Sequence, residues 1–282
     1  MSLKAILLDA DGTLWRGGEA IPGAPQFIRR AHRAGLRCIL VSNNAGPNRE
    51  AYSAKCKRLG LELGEADIFS VNHLAGPYLK QNYNGKRILV IGSEMLTGSI
   101  NGHLPAIHAD AWLNERDAGG RSNTPDDLKL VNEAEFDAVL IGIDVNVNYL
   151  KLALACVAVQ RGADLVAANP DFSFPFVGAV NLPGNGSIVG VVSGVCGVEP
   201  VTYLGKPSLH LLEQVETETG IDRKDMVMVG DRIETDIQMA ADAGIPGHFI
   251  LSGVSTREDA AASGLEMEIS EDLKELGDKL GI

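Results

Sequence analysis

Two carboxylates and a glycine follow directly on an apolar run: Ala5-Ile6-Leu7-Leu8 leads into Asp9-Ala10-Asp11-Gly12-Thr13-Leu14. This pattern describes a buried strand ending at a polar crevice, with Asp9 at the strand's carboxyl end and Asp11 in the departing loop. Ligands of open α/β sheets bind at such strand ends. Three further apolar runs end in polar groups of different kinds. Cys38-Ile39-Leu40-Val41 leads into Ser42-Asn43-Asn44, and Val201-Thr202-Tyr203-Leu204 into Gly205-Lys206-Pro207. Met226-Val227-Met228-Val229 leads into Gly230-Asp231, with Asp236 a little further on.

Each ending has a bland explanation when read singly. Asp9 and Asp11 suit an Asx-turn, Ser42 a helix cap, Lys206-Pro207 a helix start, and Asp231 and Asp236 the positive end of a helix dipole. As an ordered set at one edge of a parallel sheet they fit phosphoryl transfer. Carboxylates buried together are costly unless a cation joins them. Hard oxygen ligands without His or Cys select Mg²⁺, which offsets the charge of a dianionic ester.

In that reading Asp9 attacks phosphorus and becomes an aspartyl-phosphate; as a carboxylate it needs no base to activate it. Asp11 protonates the leaving group and later deprotonates a water. The Ser42 hydroxyl, loop amides and the Lys206 ammonium hold the phosphoryl oxygens. Asp231 is a metal ligand, and Asp236 orients Lys206 or a water on the metal.

The elements that must position these groups are legible as alternating strands and helices. Strands are expected at Lys4–Leu8, Arg37–Val41, Arg87–Ile91, Ala138–Ile143, Asp164–Ala168, Val201–Leu204, Met226–Val229 and His248–Leu251. Helical spacing marks Pro25–Ala34 and Asn148–Arg161. The fold class is therefore α/β, a Rossmann-like doubly wound parallel-sheet core carrying a smaller inserted α/β domain. Turn-rich junctions at Asn82–Lys86 and Leu182–Gly186 set the division: residues 1–82 plus 184–282 form the core and 83–183 the insertion. Within the insertion, the polar stretch Asn114–Asp127 reads as a surface loop.

Composition narrows the partners. A net charge of -12 disfavours a nucleic-acid polymer, whose phosphates reward Lys and Arg. Phe172–Val198 lacks charged residues, but prolines and glycines interrupt it, so it reads as a buried loop-strand-helix passage and not as a membrane span. The first strand leaves no room for a signal peptide, which points to the cytoplasm. The four cysteines are widely separated and read as buried structural thiols.

The four strand-end motifs together resemble those of the haloacid-dehalogenase-like (HAD) superfamily of phosphatases. They are Asp9-x-Asp11-Gly12-Thr13-Leu14, Ser42-Asn43-Asn44, Gly205-Lys206-Pro207 and Gly230-Asp231-Arg232-x-x-Thr235-Asp236. The subgroup resembled is the para-nitrophenyl-phosphatase-like one, which carries a large α/β cap. Gly142-Ile143-Asp144, Asn169-Pro170-Asp171, Pro183–Ile188 and Gly253–Asp259 extend the resemblance nearly end to end.

The resemblance implies Asp9 as nucleophile, Asp11 as acid/base, and Ser42, Asn43 and Lys206 on the phosphate. It implies Mg²⁺ on the Asp9 carboxylate, the Asp11 backbone carbonyl and Asp231. Asp144, Asn169 and Asp171 are candidate specificity residues of the cap, with Phe172, Phe174 and Phe176 either on the substrate or in the cap's own core. The implied partner is a small phosphate monoester, such as a sugar phosphate, nucleoside monophosphate, phosphoglycolate or para-nitrophenyl phosphate; a cap-mediated homodimer is implied too. Alternatives are a receiver-like phospho-accepting module, a phosphosugar mutase and a phosphosugar-binding protein without turnover.

Overall fold

The computed structural model describes residues 3–116, 125–175 and 180–282. The chain divides into two compact units: residues 1–43, 49–70 and 205–282 form the first, and residues 44–48 and 71–204 the second. The expected joints at residues 82/83 and 183/184 thus fall inside the second unit.

The first unit is built on a six-stranded parallel sheet. Its order is Glu268–Ser270, Gly247–Ile250, Met226–Gly230, Ala5–Leu8, Arg37–Ser42, Ile68–Ser70. Ala5–Leu8 is central and wholly buried because both its faces are covered. Ile6 and Leu8 point into a cluster with Phe27, Ile28, Tyr52 and Leu276. On the Gly247–Ile250 strand, Ile250 joins that cluster while its neighbour Phe249 packs with Ile233, Ile237 and Ala260. Alternate residues of one strand thus serve two helical layers, which defines a doubly wound sheet. Each fully buried Ile, Leu or Phe contributes about 1.5–3 kcal/mol.

The second unit carries its own five-stranded parallel sheet, ordered Thr202–Tyr203, Asp164–Ala167, Ala138–Ile141, Ile88–Ile91, Ile107–His108. Its core joins Leu89, Ile91, Trp112, Val139 and Ile141 to Leu150, Leu154 and Ala158 of the Tyr149–Gln160 helix and to Val189 and Val192 of the Asn185–Cys196 helix.

Two expectations change here. Val201–Leu204 does not supply a strand to the first sheet: Thr202–Tyr203 pairs with Asp164–Ala167 in the second, where its alternation finds a covered face. The uncharged passage from Phe172 is not buried throughout. Phe172 is 71% exposed, and Val191 and Val195 lie on the open side of their helix. The polar stretch Asn114–Asp127 ends in the Pro125–Leu130 helix, and its residues 117–124 lie outside the described residues, as does Phe176.

Candidate active site

Register brings three strand ends to one level. Leu8 pairs with Leu40 on one side and Val229 on the other, so Asp9, Ser42 and Asp231 all leave the sheet at its carboxyl edge. The Asp9 amide still donates to the Val229 carbonyl at 2.9 Å, which fixes the backbone under its carboxylate. Lys206 reaches this edge without a strand of the same sheet. Its amide donates to Asn43 Oδ1 at 2.7 Å, and Asn43 Nδ2 donates back to its carbonyl at 3.0 Å. This reciprocal pair clamps the Lys206 backbone to the end of the Arg37–Ser42 strand.

The buried Lys206 ammonium uses all three donors: 2.6 Å to Asp9 Oδ1, 2.7 Å to Asp236 Oδ1 and 2.9 Å to the Val41 carbonyl. Burial alone would loosen its proton, but Asp236 and Asp9 outweigh that and hold its pKa above the usual lysine range. Asp236 is fully buried; burial pushes its carboxyl up to about 6 although Lys206 pulls the other way. It is aimed by a π-helical turn, Ile233–Ile237, and the Arg232 amide donates to its Oδ2 at 3.1 Å. Such turns recur at functional sites.

Asp231 is also fully buried, and its pKa is raised well above the carboxylate range by burial, then by Asp9 and Asp236. Its Oδ2 accepts from the Val254 amide at 2.8 Å, but its Oδ1 has no hydrogen-bond partner among the described residues. Carboxylate oxygens of Asp9, Asp231 and Asp236 lie within 4.8 Å of one another.

Asp9 and Asp236 share the Lys206 ammonium, while Asp231, favoured by the more weakly acting Arg232 charge, keeps one buried oxygen without a donor among the described residues. An all-oxygen set with that surplus of negative charge fits a hard divalent cation such as Mg²⁺. Two glycines make the room: a Cβ on Gly253 would stand 1.7 Å from Asp231 Oδ2, and one on Gly12 (φ +96°) 2.4 Å from it.

The remaining candidates sit around this cluster. Asp11 is exposed, and its Oδ1 accepts from the indole N–H of buried Trp15 at 2.8 Å. Ser42 Oγ shares a 2.8 Å hydrogen bond with the Tyr52 hydroxyl, which burial and then Asp11 keep protonated far above the usual tyrosine range. Tyr52, Gly253 and Val254 are absent from the sequence-derived set. Gly253 was detectable, standing in a stretch that matches the family; Tyr52, in the middle of the Arg49–Arg58 helix, carried no signal.

The three candidates in the second unit hold backbone and charge there. Asp144 Oδ2 accepts from Lys151 Nζ at 2.8 Å and its Oδ1 from the Asn146 amide at 2.8 Å. Asn169 Oδ1 accepts from the Asp171 amide at 3.0 Å, and its carbonyl accepts from Asn185 Nδ2 at 2.8 Å. The Asp171 carbonyl accepts from the Gly186 amide at 2.9 Å. Gly184 and Gly186 allow that contact, since a Cβ on either would lie 2.2 Å and 2.4 Å from the carbonyls of Asp171 and Pro170.

A doubly wound parallel sheet with acidic groups and a lysine gathered at its carboxyl edge is a site suited to phosphoryl transfer, and comparison with known proteins gives its family. The model for haloacid dehalogenase-like hydrolases matches residues 6–103, and a second HAD-hydrolase-like model matches residues 203–276. The chain belongs to the haloacid-dehalogenase-like hydrolases, among the phosphatases of the para-nitrophenyl-phosphatase-like subgroup.

An acid sugar phosphatase of Staphylococcus aureus is 30% identical over 256 residues, covering 91% of this chain and 89% of its own. A glycerol phosphate phosphatase from Mycobacterium tuberculosis, solved in complex with magnesium, superposes with a TM-score of 0.79 at 28% identity; the match covers 97% of this chain and 76% of that one. A p-nitrophenyl phosphatase from Archaeoglobus fulgidus shares the fold, with a TM-score of 0.83 at 24% identity over 99% of this chain and 100% of its own.

Proposed function

We propose that this chain hydrolyses small phosphorylated metabolites with Mg²⁺ as cofactor, through an aspartyl-phosphate formed on Asp9. The observation that carries the reading is the charge imbalance of the buried cluster: Asp9, Asp231 and Asp236 around Lys206, with Asp231 Oδ1 unpaired. Asp9, Asp231 and the Asp11 backbone carbonyl would hold the Mg²⁺, which when bound neutralises the charge of the incoming phosphate.

Lys206 fixes the Asp9 carboxylate through Oδ1 and presents a positive charge beside it. Asp9 attacks phosphorus, and the ester oxygen departs as the O–P bond to the alcohol breaks. Asp11 gives that oxygen a proton, then takes one from the water that releases inorganic phosphate. Ser42 and Asn43 bind the phosphoryl oxygens, Ser42 oriented by Tyr52. Asp236 keeps Lys206 charged and in place.

Among substrates, sugar and polyol phosphates are favoured by the two relatives named for acid sugar and glycerol phosphate chemistry. Nucleoside monophosphates, phosphoglycolate and para-nitrophenyl phosphate belong to the same chemical class. The inserted α/β unit acts as the cap that sets selectivity. Among the described residues no helix is long and apolar enough to cross a membrane, in keeping with a cytoplasmic enzyme. A homodimer fits the exposed Val191, Val195, Val198 and Val201 of the second unit.

Phosphate release from a panel of monoesters tests the reading. The wild type turns over with Mg²⁺ and stops in EDTA, while Asp9→Asn folds normally and loses activity by about 10⁴-fold or more. Metal-independent turnover by Asp9→Asn would overturn the assignment. Product analysis with an acceptor sugar separates hydrolysis from mutase chemistry.

A further inference from the structure

Cys156 and Cys196, 40 positions apart in the chain, meet in the second unit. Cys156 lies in the Tyr149–Gln160 helix, and Cys196 ends the Asn185–Cys196 helix packed against it. Cys196 Sγ donates to the Cys156 carbonyl at 3.6 Å. The Cys196 thiol also acts on its neighbour: after burial, it is what pushes the Cys156 thiol up to about 11. Their exposures are graded, with Cys156 buried at 7% and Cys196 partly open to solvent. Cys38 and Cys56, by contrast, are sealed at 0% in the core of the first unit. The proposed hydrolysis uses none of these thiols.

We propose that Cys156 and Cys196 form a peroxide-responsive dithiol that closes reversibly to a disulfide within one chain. Cys196, the more accessible sulfur, attacks a peroxide oxygen as the thiolate. Its S–O bond forms, the O–O bond breaks, and one water leaves with the displaced oxygen. Cys156 sulfur then attacks Cys196 sulfur: the S–S bond forms, the S–O bond breaks, and a second water leaves. Two thiols have lost two electrons, and the peroxide has gained them. A dithiol reductant reverses the change by exchange.

The bridge fastens the carboxyl end of the Asn185–Cys196 helix to its neighbour. The amino end is already docked on Asn169–Asp171 through Asn185 and Gly186. Oxidation therefore pins this helix at both ends and shortens the unfolded chain's freedom by a 40-residue loop.

Hydrogen peroxide titration of the full chain tests this, with thiols counted after denaturation and linked peptides mapped by mass. The four thiols should fall to two and return to four with dithiothreitol. One linked peptide pair should carry Cys156 and Cys196 at about 2 Da below the summed masses, and the oxidised protein should melt at a higher temperature. Cys196→Ser and Cys196→Ala should both keep all their remaining thiols under the same treatment. A bridge between any other pair, cross-linking between chains, or retention of all four thiols by the wild type would overturn the proposal.

Discussion

Each unit buries one lysine between two aspartates. In the first, Lys206 lies 2.6 Å from Asp9 and 2.7 Å from Asp236; in the second, Lys151 lies 2.8 Å from both Asp144 and Asp110. Both lysines are 1% exposed. The surroundings separate them. Around Lys151 the account closes: Asp144 has a donor on each oxygen, and Asp110 keeps 44% of its side chain in water. Around Lys206 a third buried carboxylate, Asp231, is added; the Arg232 charge favours its ionised form, but burial, Asp9 and Asp236 outweigh it, and one of its oxygens has no donor among the described residues. A buried ion pair is therefore no sign of a functional site. An uncompensated charge beside one is, because several kcal/mol per ion is tolerated only where a ligand repays it.

The largest expected effect removes the surplus. Asp231→Asn should cut Mg²⁺-dependent turnover by roughly 10³-fold, on the scale of losing one electrostatic contact in an active site, as phosphate-release kinetics would show. Turnover within a few-fold of wild type would erase the distinction between the two lysine clusters.

Breaking the balanced cluster should hurt stability instead of chemistry. Lys151→Met leaves Asp144 buried and unpaired. It should cost roughly 3 kcal/mol in urea unfolding, the low end for a broken buried pair because Asp110 is half exposed. A kcat that collapses in the folded fraction of this variant would place Lys151 in the reaction.

Asp11→Asn acts outside both clusters, since the Asp11 side chain rests on Trp15. Its loss should reach about 10² for esters of poor leaving groups and shrink for good ones, which need little protonation. A uniform loss across a leaving-group series would remove Asp11 as the acid.

The smallest effect is a pH dependence. Burial lowers the Lys151 pKa, but Asp110 and Asp144 reverse this and hold it above the usual 10.5. A raised pKa means the folded state keeps its proton longer than the unfolded chain does. The contribution is thus complete below pH 10.5 and fades as pH climbs through the raised value. Alkaline unfolding curves of wild type and Lys151→Met should converge there; parallel curves would show that the pair contributes nothing.

How much of this could be read from residues alone follows from the range of the interactions. Asp9 and Asp231 were visible because each ends a short apolar strand, a local pattern. Lys206 was visible as a residue but misplaced in topology: Thr202–Tyr203 is alternating and short, and nothing local says which of two parallel sheets it joins. Ile68–Ser70, Ile107–His108 and Glu268–Ser270 escaped notice because two or three residues carry no period. Asp144, Asn169 and Asp171 were marked by the family resemblance. Their partners Lys151, Asn185 and Gly186 are set by tertiary packing, which spacing does not show. Tyr52 reaches Ser42 only through the packing of the Arg49–Arg58 helix.

Whether the buried carboxylates await a cation is settled by thermal unfolding of wild type and Asp231→Asn in EDTA and in a Mg²⁺ titration. Surplus buried charge predicts that Mg²⁺ raises the wild-type melting temperature in a saturable, single-site manner and leaves Asp231→Asn unmoved. A wild-type melting temperature indifferent to Mg²⁺, or an equal rise in both proteins, would contradict it.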